Sequence, residues 1–180
     1  GNREEAIRSC QSVIDNSVSD LIKATAFQNL SLLYFTQSYE KSYQYLNYAL
    51  SINTLRNSNK ILDVKRTICF LQNYWSVYPE YIDFNSKDIE DIQEIIFFYI
   101  RNSKVNQANK LLETINIEEL SNRLKGFHFY LKGLISNRRE DFLQSVIHFK
   151  YANTRVYYQF PILELEKLGE DPLTLKVLEI

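Results

Sequence analysis

The sequence predicts an all-α fold, a tetratricopeptide-like (TPR-like) superhelix of stacked antiparallel helix hairpins closed by a short C-terminal helix. Three observations carry that expectation. Apolar residues recur at i, i+3, i+4 and i+7 along nearly the whole chain, the spacing of one buried helix face. Only four Gly and three Pro occur in 180 residues, too little turn chemistry for the many tight reversals of a β-sandwich or propeller. With 45% hydrophobic and 24% charged residues, the composition is globular and the length suits one domain with a sizeable core.

Taken in order, the first helix is expected over roughly 3–15, where Ala6, Ile7, Cys10, Val13 and Ile14 share a face. The second follows over roughly 20–36, through Ala24, Phe27, Leu30 and Tyr34, with Ser19 as its N-cap. A third runs over roughly 39–51, and a fourth over roughly 60–75 on Ile61, Val64, Ile68, Leu71 and Trp75. "SVYPEYIDFNS" is the least helical stretch, and Pro79 with its aromatic neighbours implies an ordered crossing loop ended by Ser86 or Asn85 as the next cap. Further helices are expected over roughly 87–102, 105–115, 119–136, 139–152 and 158–168. A last short helix opens at "DPL", where Asp171 suits the N-cap and Pro172, with no N–H to lose, suits the first turn.

One segment carries the repeat: "NLSLLYFTQSYEKSYQYLNYAL", residues 29–50. Leu30, Ser31 and Tyr34 match the large, small and aromatic positions of a TPR first helix, and Ser42, Leu46 and Ala49 the small, bulky and small positions of its second. Small residues let two antiparallel backbones approach while a large one fills the adjacent hole. A weaker copy places Leu131, Gly133, Phe142, Ser145, Phe149 and Ala152 alike, and a third shows Ala108, Leu111 and Leu112. A stack of such hairpins has a concave face that suits an extended peptide or a partner helix, so binding is the expected function.

Several function classes are excluded. A net charge of -1 gives no basic stripe for direct DNA binding by this piece. Cys10 and Cys69 lie far apart among apolar residues, which reads as two buried free thiols in a reducing, cytoplasmic setting. No apolar run is long enough to span a bilayer. The sequence holds no Met, so the chain is expected to be a piece of something longer. His128 and His148, the two histidines, have no metal-ligand spacing, Gly126 and Gly133 fall inside a helix rather than in a phosphate loop, and no nucleophile–base pair stands out. No cofactor, no metal and no enzymatic activity are expected.

Candidate binding residues come from helix faces. Gln28 and Ser31 lie on a first helix, and Phe70 and Asn73 share a face of the helix ending at Trp75, an amide and aromatic set suited to gripping a peptide backbone. Asp88, Glu90 and Asp91 crowd a helix start, where the dipole accounts for them. Glu94 sits deeper, beside Gln93 and before the apolar run "IIFFYI", which points to a specific contact. In the tail, Leu173, Leu175, Val177, Leu178 and Ile180 cover more than one face of a short helix, so residues 170–180 are expected both to cap the core and to form a homodimer contact.

From "ICFLQNYW" onward the sequence resembles the arbitrium peptide receptors (AimR type) of temperate bacteriophages. The resemblance rests on Cys69, Phe70, Leu71, Asn73 and Trp75, "IDF" at 82–84, Gln93 and Glu94, the segments "KLLETINIEEL", "FHFYLKG" and "SVIHFK", and above all the ending "FPILELEKLGED". It implies that residues 1–169 are the peptide-binding repeats of a transcription regulator that controls the lysis-lysogeny decision, acting on DNA through an upstream helix-turn-helix domain absent from this chain. It also implies that a short secreted peptide binds in the groove with Phe70, Gln93 and Glu94 among its contacts, and that the C-terminal helices dimerise. One departure bears on the ligand: Thr154 stands where the family carries an acidic residue that meets the peptide's arginine, and Val156 replaces an aromatic. Either ligand preference differs or Glu94 takes the arginine. A general TPR scaffold that docks a partner's tail without allostery is the alternative, and the sequence upstream of Gly1 would separate the two.

Overall fold

The computed structural model describes residues 3–52 and 58–179 and holds, among them, ten α-helices, two short 3₁₀ turns and no strand. The chain divides into two units, Gly1–Ile82 and Asp83–Ile180. The first unit contains α1 (Arg3–Asn16), α2 (Asp20–Tyr34), α3 (Tyr39–Leu50) and α4 (Ser58–Tyr74). The second contains α5 (Ile89–Arg101), α6 (Val105–Leu112), α7 (Asn122–Ser136), α8 (Arg139–Tyr151), α9 (Gln159–Lys167) and α10 (Pro172–Glu179).

In the first unit the α2–α3 hairpin is built as the repeat pattern requires. Leu30, Leu46 and Ala49 are buried, and Ser31 and Ser42 lie wholly inside with their hydroxyls 2.7 Å apart. Ser42 donates its own hydroxyl proton to the Ser31 carbonyl (3.1 Å), so the bond between the two hydroxyls runs from Ser31. Residues 75–82 form an ordered strap. The Trp75 indole donates to the Phe35 carbonyl (2.8 Å), Pro79 is buried, and the Glu80 carboxylate accepts from both Tyr43 (2.8 Å) and Gln72 (2.9 Å).

In the second unit α7 and α8 approach closely enough to leave no room for a side chain at two positions. An added Cβ on Gly126 would lie 2.4 Å from the Phe149 ring and one on Gly133 2.7 Å from the Phe142 ring, both rings buried. Ser145 occupies the place of Ser42, its hydroxyl donating to the Gly126 carbonyl at 2.7 Å. Gly133 was expected as a packing glycine, and Gly126 is a second one.

The scarcity of glycine has a structural answer in the helix stops. Ser76, Ser103, Asn137 and Asn153 all take φ between 53° and 58°, as Gly169 does at 81°. After Ser76, Ser103, Asn153 and Gly169 the next N–H reaches back to a carbonyl of the last helical turn: Val77 to Gln72, Lys104 to Tyr99, Thr154 to Phe149 and Glu170 to Leu165. These are Schellman-type stops made mostly by Ser and Asn.

Helix starts differ from expectation at two places: the helix expected from 119 begins at Asn122, capped by Ser121 after a separate 3₁₀ turn over Ile117–Glu119, and the cap of α5 is a different residue. Asp88, not Ser86 or Asn85, caps α5, accepting from the Glu90 N–H (2.9 Å). Ser86 sits two residues earlier, accepts the Asp88 N–H (3.2 Å) and donates to Asp91 (2.6 Å). Ser136 does the same before α8, with Arg138 (3.2 Å) and Asp141 (2.8 Å), and Ser17 accepts the N–H of Ser19, which caps α2 without a side-chain bond of its own. Asp171 caps α10 as expected, accepting the Thr174 N–H at 2.9 Å. Cys69 is buried, but Cys10, expected to be so, is only half-buried because α1 buries no residue fully.

Candidate functional site

In the first unit all four candidates are buried. Gln28 bridges α2 and α4: its amide donates to Thr67 Oγ1 at 2.7 Å and its carbonyl oxygen accepts from the Lys60 ammonium. Lys60 pairs in turn with Asp63 at 3.1 Å. Ser31 lies in the hairpin contact already described. Phe70 packs on Phe35 with ring centroids 5.0 Å apart, and Asn73 lies one turn further along α4. Gln28 and Ser31 thus join one helix of the unit to another.

In the second unit the candidates are more accessible. Gln93 is buried and its amide donates to the Leu124 carbonyl of α7 at 2.9 Å. Glu94, the next residue of α5, is half-exposed. Thr154 follows the left-handed Asn153, is half-buried, and donates its hydroxyl to the Phe149 carbonyl (3.2 Å). Val156 is half-buried in the 3₁₀ turn Arg155–Tyr157. Gln93 and Glu94 thus come from one helix and Thr154 and Val156 from the segment after α8. In the tail, Leu173 and Val177 are 70% and 59% exposed while Leu175 and Leu178 are half-buried. Ile180 lies outside the described residues.

A polar node at the start of α7 went unnoticed in the sequence. Three consecutive residues are each bonded to another helix: Asn122 Oδ1 lies 3.2 Å from His148 Nδ1 of α8, Arg123 pairs with Glu90 of α5 at 2.5 Å, and the Leu124 carbonyl accepts from Gln93. One signal was available. A basic residue in the first turn opposes the helix dipole, so Arg123 needs an acid to hold it there.

Among the described residues no His, Cys, Asp and Glu cluster could hold a metal, and no helix is long and apolar enough to cross a membrane. His128 is 4% exposed, its Nδ1 has no hydrogen-bond partner, and burial pushes its pKa down to about 4, Lys132 adding to the effect and Asp141 opposing it. The unfolded chain takes up this proton near the ordinary 6.5, so the neutral imidazole's contribution is complete above that pH and is lost as pH falls from 6.5 towards 4. Between pH 7.5 and 4.5 the parent should lose about 2 kcal/mol more stability than His128→Leu in urea titrations. Equal losses would mean that His128 accepts its proton in the folded chain. His148, also lowered by burial, is common to both proteins and cancels.

A model of the AimR transcriptional regulator-like family matches residues 1–167. The AimR transcriptional regulator of Bacillus phage phi3T is 31% identical over 113 residues, 63% of this chain and 30% of that protein. That of Bacillus phage SPbeta is 30% identical over 148 residues, 82% of this chain and 38% of that protein. The solved structure of SeMet-phAimR superposes with a TM-score of 0.88 at 25% identity, over 99% of this chain and 46% of that one. A structure described as phAimR-Ligand gives 0.81 at 24% identity, over 93% of this chain and 49% of that one. The chain therefore has the helical-repeat fold of those structures and spans about a third of the length of the curated relatives it matches. With the fold, the C-terminal motifs and a family match over residues 1–167 in agreement, the chain belongs to the AimR transcriptional regulator-like family.

Proposed function

We propose that this chain is the ligand-sensing part of a phage transcription regulator. It binds a short communication peptide in the groove of its helical repeats, in the cytoplasm of the bacterial host, and through an upstream DNA-binding domain sets the lysis-lysogeny decision. The observation that carries the reading is the family match over residues 1–167. Glu94 is its centre: half-exposed, a full turn beyond the carboxylates that serve the α5 dipole. Thr154 and Val156 flank the ligand and Gln93 holds α5 against α7 beside it, while Gln28, Ser31, Phe70 and Asn73 lie buried within the first unit. The switch is a population shift, which requires the peptide to prefer one arrangement of the protein.

Calorimetry with synthetic hexapeptides, each carrying one arginine, tests the reading. Saturable binding of at least one supports it, and failure of every one overturns it. The apolar residues of α10 belong to the same proposal. Leu173 and Val177 project outward from a helix that packs on α9, and we assign Leu173, Leu175, Val177, Leu178 and Ile180 to a homodimer contact. By light scattering, the full chain should be a dimer and a chain ending at Gly169 a monomer. A shortened dimer of undiminished stability would remove the tail from the interface.

A further inference from the structure

We propose that the first turn of α7 is a register pin, with Arg123 as its positioning residue, that sets where Glu94 on α5 stands relative to Thr154 and Val156 after α8. The inference rests on the peptide-binding reading above and deepens it. The geometry is specific to three consecutive residues. Asn122 reaches α8 through His148, Arg123 reaches α5 through Glu90, and the Leu124 carbonyl reaches α5 through Gln93. A single helical turn therefore ties together the two elements from which the half-exposed candidates project.

Between α5 and α7 the remaining contacts are largely apolar, whereas α7 and α8 are also tied by the Ser145–Gly126 hydrogen bond and the Lys132–Asp141 ion pair, so the node matters most for the register of α5. Ile96, Phe97, Tyr130, Leu131, Phe142 and Val146 are buried there, with Tyr130 meeting Phe97 and Phe142 edge-on or tilted. Apolar contacts resist separation but tolerate sliding, since their free energy follows area rather than direction. Hydrogen bonds and ion pairs have fixed lengths and angles, so they select one register among several of similar burial. Glu90 and Glu94 lie four residues apart on one stripe of α5. Holding Glu90 on Arg123 fixes the height of Glu94 and also neutralises one of its two neighbouring carboxylates, the other, Asp91, accepting from Ser86. The Arg123–Glu90 contact is partly buried, with side chains 35% and 27% exposed, so solvent screens it less than a surface pair.

Three variants of the full 180-residue chain test this: Arg123→Met, the charge swap Glu90→Arg with Arg123→Glu, and Glu94→Gln. One measurement needs no ligand. Amide hydrogen exchange along Lys125–Phe129 of α7 and Ile92–Ile95 of α5, which begin at the first amide bonded within each helix, should accelerate about tenfold or more in Arg123→Met and return towards the parent in the swap. Unchanged exchange in Arg123→Met, or an unrescued swap that remains folded by circular dichroism, overturns the pin. The second measurement compares arginine hexapeptides with their citrulline counterparts. The parent should favour arginine, Arg123→Met should lose about tenfold of that preference, and the swap should restore it. A preference kept intact in Arg123→Met overturns the proposal even if exchange has changed. If Glu94→Gln and the parent discriminate alike, the peptide reading fails at Glu94, while the exchange result still decides the pin.

Discussion

Gly126→Ala is expected to lower the stability of the second unit by about 3 kcal/mol, at the upper end for overpacking a core. The new methyl carbon would lie 2.4, 2.5 and 2.8 Å from three carbons of the Phe149 ring, well inside van der Waals contact, and the ring has nowhere to go. Phe149 is wholly buried, with Phe127 edge-on at 5.0 Å and Tyr157 at 5.5 Å. Nor can α7 simply back away, because the Ser145 hydroxyl holds the Gly126 carbonyl at 2.7 Å. For a unit of this size the loss corresponds to a fall in melting midpoint of more than about 10 °C. Gly133→Ala, with Phe142 at 2.7 to 2.9 Å, should behave similarly. The decisive comparison is Gly126→Ala with Phe149→Leu: a smaller side chain makes room, so the double variant should lose clearly less than the sum of the singles. A midpoint within about 1 °C of the parent for Gly126→Ala would show that the hairpin separates without cost, contrary to the close approach described here.

That prediction depends on a feature that was half legible. Gly133 could be assigned from the repeat pattern because the TPR motif calls for a small residue there, but Gly126 lies one repeat of the ridge earlier, outside any quoted motif. The helices themselves were legible to within about three residues at each end because their apolar faces are continuous, the largest misses being the end of α6 at Leu112 and the start of α7 at Asn122. The stops were not. Ser76, Ser103, Asn137 and Asn153 adopt the left-handed conformation, yet Ser and Asn are equally at home in caps, turns and helix surfaces, so composition does not mark which of them ends a helix. Similarly, Ser86 looked like a cap, and only coordinates distinguish it from Asp88 two residues on.

For the candidate site the limit was different in kind. Residue type and helix face singled out Gln28, Ser31, Phe70, Asn73 and Gln93 as groups able to grip a peptide, but the same chemistry joins one helix to another. Gln28 is engaged by Thr67 and Lys60, Ser31 by Ser42 and Gln93 by the Leu124 carbonyl. A buried amide must find partners somewhere, and a sequence does not say whether they come from the protein or from a ligand. Arg123 in a helix's first turn hints that an acid holds it, but no local pattern names Glu90, 33 positions away.

Glu94→Gln should weaken binding of an arginine-bearing hexapeptide by about 2–5 kcal/mol, the cost of leaving a cation without its buried partner. The substitution keeps shape and helix propensity nearly constant, so α5 should fold as before. Compensation from neighbours is limited. Gln93 is already committed to Leu124 and carries no charge, Glu90 is held by Arg123, Asp91 accepts from Ser86, and Thr154 carries no charge. Glu94 is therefore the carboxylate of α5 whose removal the peptide's cation should feel most. Replacing the peptide's arginine with citrulline supplies the complementary deletion: each single change should weaken binding, and the two together should cost much less than their sum, because they remove the same interaction. Raising the salt concentration should weaken the parent complex only modestly, since a partly buried pair is screened less than an exposed one. If Glu94→Gln binds the arginine peptide as tightly as the parent in calorimetry, the cation is held elsewhere and Glu94 belongs with the carboxylates that serve the helix.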